Sequence, residues 1–493
     1  MRKTKIVCTI GPATSSEEGL RALFEAGMDV ARLNFSHGTQ EEHARVVGRI
    51  RKLSGEQGRP IGILQDLCGP KIRVGTLRTS SILLRNGDRI VLTAEEIAGD
   101  EKRIGISYAR LAHDVRPGET ILINDGALAL EVVSAKKDEL LCEIKQGGEL
   151  LPGKGVNFPD SQLRVDALTP KDRVDLLFGI EQGVDWVALS FVRRPEDISR
   201  VKVQLRAHGA DTPVIAKIEK QEALGCLEEI VEIADGVMVA RGDLGVEAAL
   251  EEVPLAQKRI IAQCNRMGKP VITATQMLES MREHPYPTRA EVSDVANAIF
   301  DGTDAVMLSQ ETAIGDYPAE SVRMMGRIAE KTEAALEVED AVLRKRADRT
   351  FDVSDAISHA TCAAAADLNA AGIITCTMSG STARMVARYR PRSPIIAVSP
   401  NQTTRNRLCL SWGVVPMPLK QVSDTDEMVA QSVDAALRAG LVKKGERVII
   451  TAGIPLEQTG TTNLLRVYDI PEKQDKGGSC KSPKNDLASL RSP

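Results

Sequence analysis

Aromatic residues are scarce: seven Phe, five Tyr and two Trp make up 3% of the 493 residues. That is a poor supply for a platform on which bases stack. Charge of one sign is not in excess either. The 64 basic and 68 acidic side chains leave a formal charge of −4, which gives nucleic acid or an anionic membrane no electrostatic foothold. Neither is expected as a partner. No run of 18 uncharged apolar residues occurs, so no transmembrane helix is expected. The apolar stretch before Gly11 and Pro12 is too short for the core of a signal peptide, which points to a cytoplasmic protein. The six histidines lack metal-ligand spacing, which argues against a zinc site. The nine cysteines (Cys8, Cys68, Cys142, Cys226, Cys264, Cys362, Cys376, Cys409 and Cys480) are odd in number and contain no C-x-x-C pair. They read as reduced thiols. Walker A and Rossmann patterns are absent as well.

What is present is a chain with 42% hydrophobic and 27% charged residues, long enough for about three domains. Short β-branched runs alternate with helical patterns from the start: strands at 5–10, 30–35 and 61–67, helices at 17–28 and 40–53. This is the rhythm of a parallel α/β sheet. It breaks at residue 71. From there to 166, short β-like stretches (81–84, 88–92, 120–123, 128–133 and 140–144) are divided by the turn signals Asn86-Gly87, Pro117-Gly118 and Asn124-Asp125-Gly126. The alternation resumes at Thr169-Pro170, with strands at 186–191, 214–219, 236–240, 271–275 and 305–308, and helices including 222–233 and 254–267. Eight βα units with one interruption indicate a (β/α)8 TIM barrel rather than an open sheet. The expected domains are a barrel (1–70 and 167–336), an inserted small β-barrel lid (71–166) and a C-terminal α/β domain (337–473). The C-terminal domain should hold strands at 372–377, 394–398, 447–451 and 465–469. Residues 474–493 read as a disordered tail.

Active sites of such barrels lie at the C-terminal strand ends. Those ends carry Arg32, Asn34 and Ser36, then Asp66, Lys217 with Glu219, Arg241 with Asp243, and Thr275. Strand alternation puts Lys217 and Glu219 on one face, and likewise Arg32, Asn34 and Ser36. Glu219 and Asp243 offer hard oxygens that suit Mg²⁺ or Mn²⁺. Lys217 stands beside them as a fixed cation, and Arg32 adds a planar fork for phosphate. Such a set fits phosphoryl transfer. Spacing alone leaves open an Mg²⁺-dependent lyase acting on an enolate. Gly242, in Arg241-Gly-Asp-Leu-Gly245, could present backbone N–H groups to a carboxylate or simply make a tight turn.

The segments Ala31–Gly38 (ARLNFSHG), Asp66–Arg73 (DLCGPKIR), Ile215–Glu219 (IAKIE), Met238–Gly245 (MVARGDLG), Thr273–Met281 (TATQMLESM) and Pro287–Asn297 (PTRAEVSDVAN) occur in that order. Together they resemble the pyruvate kinase family over nearly the whole chain, to about residue 470. The resemblance implies transfer of phosphate from phosphoenolpyruvate to ADP, giving pyruvate and ATP. It implies that Lys217 meets the transferring phosphoryl group and that Glu219 and Asp243 hold the metal. Gly242, Asp243 and Thr275 would hold the substrate carboxylate, with Thr275 aiding proton delivery through water. Arg32 and Arg73 would contact phosphates, Lys154 would reach in from the insert, and Asn34 and His37 would lie near the nucleotide. A homotetramer with a phosphorylated allosteric effector is also implied.

The chain departs from some members of that family. K⁺-requiring members bind the ion with groups matching Asn34, Ser36, Asp66 and the carbonyl of Leu67, and carry Glu where Lys71 stands. Lys71 is read as an internal cation that removes the need for K⁺. Cys68 is unusual at its position and reads as a small structural thiol. Gln310, in place of a common Gly, is expected to be tolerated. In the C-terminal domain, Thr377, Ser379, Gly380, Ser381 and Thr382 open a helix expected at 383–389, where N–H groups and hydroxyls could hold an effector phosphate. Thr459–Asn463 could close that pocket. No additional phosphoryl-carrier domain of the kind found in certain bacterial members is expected.

Overall fold

Eight parallel strands close into a ring in the computed structural model, which describes residues 1–336, 352–422, 424–455 and 461–472. They are β1 (Lys5–Ile10), β2 (Val30–Asn34), β3 (Gly62–Asp66), β4 (Trp186–Leu189), β5 (Val214–Ile218), β6 (Gly236–Ala240), β7 (Val271–Ala274) and β8 (Ala305–Leu308). Each pairs with its neighbours in chain order, and β8 returns to β1 with Lys5 opposite Ala305 and Cys8 opposite Leu308. Every residue of β1 and of β3 to β8 is buried, as expected where a parallel sheet is covered on both faces. The helices between them begin where the sequence provides caps. Ser16 caps Glu17–Ala26, and Thr39 and Glu42 form a capping box on Gln40–Gln57. Thr169 with Asp172, and Thr288 with Glu291, do the same for Pro170–Glu181 and Arg289–Asp301.

Inside the ring, Val7, Val30, Leu64, Ala188, Ile215, Met238 and Ile272 share one apolar cluster. Cys409 and Leu410 of the C-terminal domain join the same cluster and so stop the N-terminal end of the barrel. The docking there is polar at its edges. The buried Lys5 ammonium donates to the Val414 carbonyl at 2.7 Å, and Arg390 pairs with Asp304 at 3.1 Å. Beside Lys5, the half-buried Asp29 pairs with Arg2 at 2.8 Å.

Between β3 and β4 the chain builds a separate β domain with its own apolar core, including Ile90, Leu92, Ile104, Ile121, Leu130 and Cys142. Its strands Arg89–Thr93, Arg103–Gly105, Thr120–Ile123, Leu128–Lys136, Glu139–Gln146 and Val156–Asn157 form a six-stranded sheet, and Ile82–Leu84 pairs with Gly148–Leu150 as a ribbon. Three of these strands, at 103–105, 148–150 and 156–157, went unforeseen because two or three residues carry no readable alternation.

The C-terminal domain has a five-stranded sheet in the order Val414–Pro418, Ile395–Ser399, Gly372–Cys376, Arg447–Ala452, Leu464–Asp469, with the last strand antiparallel. Val414–Pro418 escapes a sequence reading because Pro416 and Pro418 argue against a strand. The structure places it at an edge, where missing N–H donors are tolerated. The helix expected at 222–233 is instead two, Gln221–Gly225 and Leu227–Ile233, broken beside Gly225. The helix expected at 383–389 runs from Ser381 to Ala387. The supposed tail 474–493, residues 337–351 of the expected third domain and Thr459 with Gly460 lie outside the described residues. Among the described residues no helix is long and apolar enough to cross a membrane, and the eight described cysteines are free thiols.

Candidate active site

Two residues beyond each inward apolar side chain, the barrel interior turns polar. Val7 is followed on the same face by Thr9, Val30 by Arg32, Leu64 by Asp66, Ala188 by Ser190 and Ile215 by Lys217. Period-two alternation thus delivers a polar layer to the C-terminal mouth.

Asp66 organises it. Its Oδ2 accepts from Arg32 Nε at 2.7 Å, and its Oδ1 lies 3.2 Å from Lys217 Nζ. Arg32 also donates to Thr9 Oγ1 at 2.9 Å. Lys217 donates to Ser190 Oγ at 2.7 Å and pairs with Glu219 Oε1 at 2.9 Å. The Ser190 hydroxyl in turn donates to the Leu67 carbonyl at 2.7 Å. Burial alone would push the Lys217 ammonium toward neutrality. Asp66 and Glu219 outweigh that and hold it above the usual lysine range, so it stays charged. For Asp66 burial acts upward, and Lys217 and Arg32 more than reverse it.

Glu219 is held at its other oxygen by the Phe191 N–H at 2.7 Å. Phe191 has φ +55, a conformation that aims this N–H inward. Gly69 lies against the same turn. A Cβ on Gly69, at φ +69, would stand 2.9 Å from both Ser190 Cβ and the Phe191 ring, so only glycine fits. Burial, with the nearby charge of Asp243, drives the Glu219 carboxyl upward in spite of Lys217. Glu219 and Asp243 thus bring two carboxylates near one another, each with one ammonium beside it. Two hard-oxygen side chains, with no third His, Cys, Asp or Glu gathered on them among the described residues, fit a divalent ion completed by substrate and water.

Asp243 and Gly242 sit at the start of the helix Arg241–Glu247, directly after β6. The Gly242 N–H donates to Thr275 Oγ1 at 2.8 Å. Thr275 has φ +68, which is unfavourable for a β-branched residue. Arg241 holds the strained turn by donating to the Thr275 carbonyl at 2.6 Å while pairing with Asp294 at 2.7 Å.

The chain is matched over residues 1–322 by the family "Pyruvate kinase, barrel domain" and over 355–468 by "Pyruvate kinase, alpha/beta domain". The chain belongs to the pyruvate kinase family. It is 50% identical over 479 residues to the pyruvate kinase of Geobacillus stearothermophilus, covering 97% of this chain and 82% of that one. It is 48% identical over 480 residues to that of Bacillus licheniformis, with the same two coverages. It is 45% identical over 469 residues to that of Clostridium acetobutylicum, covering 95% and 99%.

Some of the pyruvate kinase positions expected from the sequence converge and others stay apart. Arg32, Asp66, Lys217 and Glu219 are in contact, as are Gly242 and Thr275. Lys71 leans toward Asp243, with Nζ 3.9 Å from Oδ1. Asn34 accepts the Ser36 N–H at 3.1 Å, and His37 is exposed on the turn that follows. Arg73 donates to the Gly153 carbonyl at 2.9 Å, within the insert, and the neighbouring Lys154 is half-buried there. Cys68 is a half-buried thiol, and Gln310 is exposed, accepting from Arg282 at 3.0 Å. Thr9, Ser190 and Phe191 were missed in the sequence. Thr9 and Ser190 could have been found by counting two residues on from Val7 and Ala188.

In the C-terminal domain Thr377 Oγ1 takes the Gly380 N–H at 2.9 Å, so that donor is already engaged. Thr382 is buried with its hydroxyl 2.9 Å from that of Thr462. Ser379 and Ser381, hydroxyls 3.4 Å apart, form the accessible edge.

Proposed function

We propose that the protein transfers the phosphoryl group of phosphoenolpyruvate to ADP, giving pyruvate and ATP, the last step of glycolysis. The observation that carries this reading is the charged Lys217, gripped by Asp66 and Glu219 and standing beside Arg32. A fixed ammonium and a guanidinium at one point stabilise charge spread over the oxygens of a phosphoryl group in transit. Glu219 and Asp243 would hold Mg²⁺ or Mn²⁺, which when bound neutralises phosphate charge. The Gly242 N–H and the Thr275 hydroxyl, now bonded to each other, would exchange that bond for two to the substrate carboxylate. Thr275 then lies beside the enolpyruvate carbon and passes a proton toward it through water. Lys154 and Arg73 would come onto the nucleotide phosphates when the insert closes as a lid, with Asn34 and His37 on the facing turn.

The reading extends to a cytoplasmic homotetramer, controlled by a phosphorylated effector at Thr377 and Ser379–Thr382 and independent of K⁺. A coupled assay for ATP formation from phosphoenolpyruvate and ADP tests the core of it. ATP produced in proportion to pyruvate is expected. Turnover of phosphoenolpyruvate without ADP would instead favour a lyase on the same barrel.

A further inference from the structure

Glu247 lies one helical turn beyond Asp243 in Arg241–Glu247 and is 2% exposed. Its Oε1 takes two donors, Asn157 Nδ2 at 2.6 Å and Lys220 Nζ at 2.5 Å. Asn157 belongs to the insert, three residues after Lys154, and Lys220 directly follows Glu219. One buried oxygen therefore ties together the insert, the end of β5 and the helix that carries Gly242 and Asp243. Around it lies a narrow cleft lined by Lys71, Asn157, Phe158, Phe191, Lys220 and Glu247. The returning segment of the insert is gripped differently. Arg193, 8% exposed, donates to the Leu163 carbonyl at 2.5 Å and also to the Val165 carbonyl.

The two attachments are unequal. Arg193 keeps Asp197 3.9 Å from its Nε, but withdrawal of the two carbonyls would leave its buried guanidinium with two N–H groups unsatisfied. At Glu247 the donor from the insert is a neutral amide. If Asn157 leaves, Lys220 still satisfies the carboxylate, so no charge is stranded. Arg193 behaves as a pin and Glu247 as a latch that can open.

We propose that Glu247 is a positioning residue: its bond to Asn157 sets where the insert, and Lys154 with it, rests over the site, and Lys220 makes that bond releasable. The inference rests on the phosphotransfer reading above. It predicts opposite effects from the two donors. Asn157→Leu removes the latch while leaving the Glu247–Lys220 pair, so the Michaelis constant for ADP should rise about tenfold with kcat within threefold of the parent. Lys220→Met leaves Glu247 dependent on Asn157 and holds the insert down. There kcat should fall about fivefold, with no rise in the Michaelis constant for ADP.

Both variants and the parent are assayed with Mg²⁺, phosphoenolpyruvate and varied ADP, after circular dichroism and melting have checked their fold. Asn157→Ser replaces the Leu variant if that one does not fold. Small-angle scattering of the unliganded proteins should show a broader particle for the Asn157 variant and a parent-like profile for Lys220→Met. A merely structural role would lower both melting temperatures and leave the kinetic split absent. A Michaelis constant for ADP less than threefold above the parent in the Asn157 variant overturns the latch, as does the same parameter moving in the same direction in both variants. A parent without ADP-dependent turnover would overturn the phosphotransfer reading itself, and the latch with it.

Discussion

Lys217 and Asp66 face each other across the barrel mouth, Nζ 3.2 Å from Oδ1, while Asp66 gives its other oxygen to Arg32. One buried carboxylate thus orients two cations. Neither cation can swing away without breaking a bond in a poorly solvated place. The positive charge is in position before substrate arrives and costs no reorganisation during reaction.

Replacing Lys217 by Met should remove an interaction stronger in the transition state than in the ground state. The expected fall in kcat is about 10³-fold or more, on the order of 4 kcal/mol, with little change in the Michaelis constant for phosphoenolpyruvate. Steady-state kinetics measure this directly, and a kcat within tenfold of the parent would discard the assigned role.

A second expectation concerns acid stability. At Asp29 burial acts upward, but Arg2, Lys5 and Arg59 together bring its carboxyl below the usual aspartate range. The folded state therefore binds this proton less readily than the unfolded chain, whose aspartates titrate near about 3.9. The stabilisation is complete above that value and is lost as pH falls through the lower folded one. Asp29→Asn should melt well below the parent at pH 6, and the gap should narrow as pH drops below about 4. A gap that stays constant across that range counts against the assignment.

Monovalent cations give a third test. Asp66 already carries Arg32 and Lys217, and the Lys71 ammonium stands near Asp243. A further cation about 4 Å from such an ammonium meets roughly 4 kcal/mol of repulsion at an effective dielectric of 20. The rate in tetramethylammonium buffer should be unchanged by KCl at constant ionic strength. A tenfold rise on adding K⁺ refutes independence. Lys71→Glu should lower the K⁺-free rate and create a partial requirement for the ion.

The effector segment offers a fourth. Because Thr382 is buried against Thr462, a charge there would damage the domain, whereas Ser381 stands at the accessible edge. Ser381→Glu alone should abolish activation by phosphorylated metabolites and leave basal turnover intact. Activation retained in full would place the effector elsewhere.

Most of the barrel and the centre of its site were legible because both follow from alternation. An eight-fold strand rhythm announces the ring, and a polar residue two positions past an apolar one announces the mouth. What escaped depended on contacts between distant segments. Nothing local marks Val414–Pro418 as a strand until an edge is available to it. Nothing near Asn157 announces Glu247, 90 residues on, or tells that Arg73 would turn to Gly153. Lys71 was placed near the site by the family resemblance alone, and its lean toward Asp243 depends on how the insert is set over the barrel.

The pairing that seals the ring joins the first strand to the last, with Lys5 opposite Ala305 across about 300 residues of chain. On a ribosome adding about 5–20 residues each second, β1 waits on the order of 15–60 s for that partner. All six of its residues are buried in the finished molecule, so for that time the nascent chain carries an apolar edge open to pairing with any other strand. A truncation before residue 305 should therefore be captured by chaperones or aggregate, whereas the completed barrel offers no such edge.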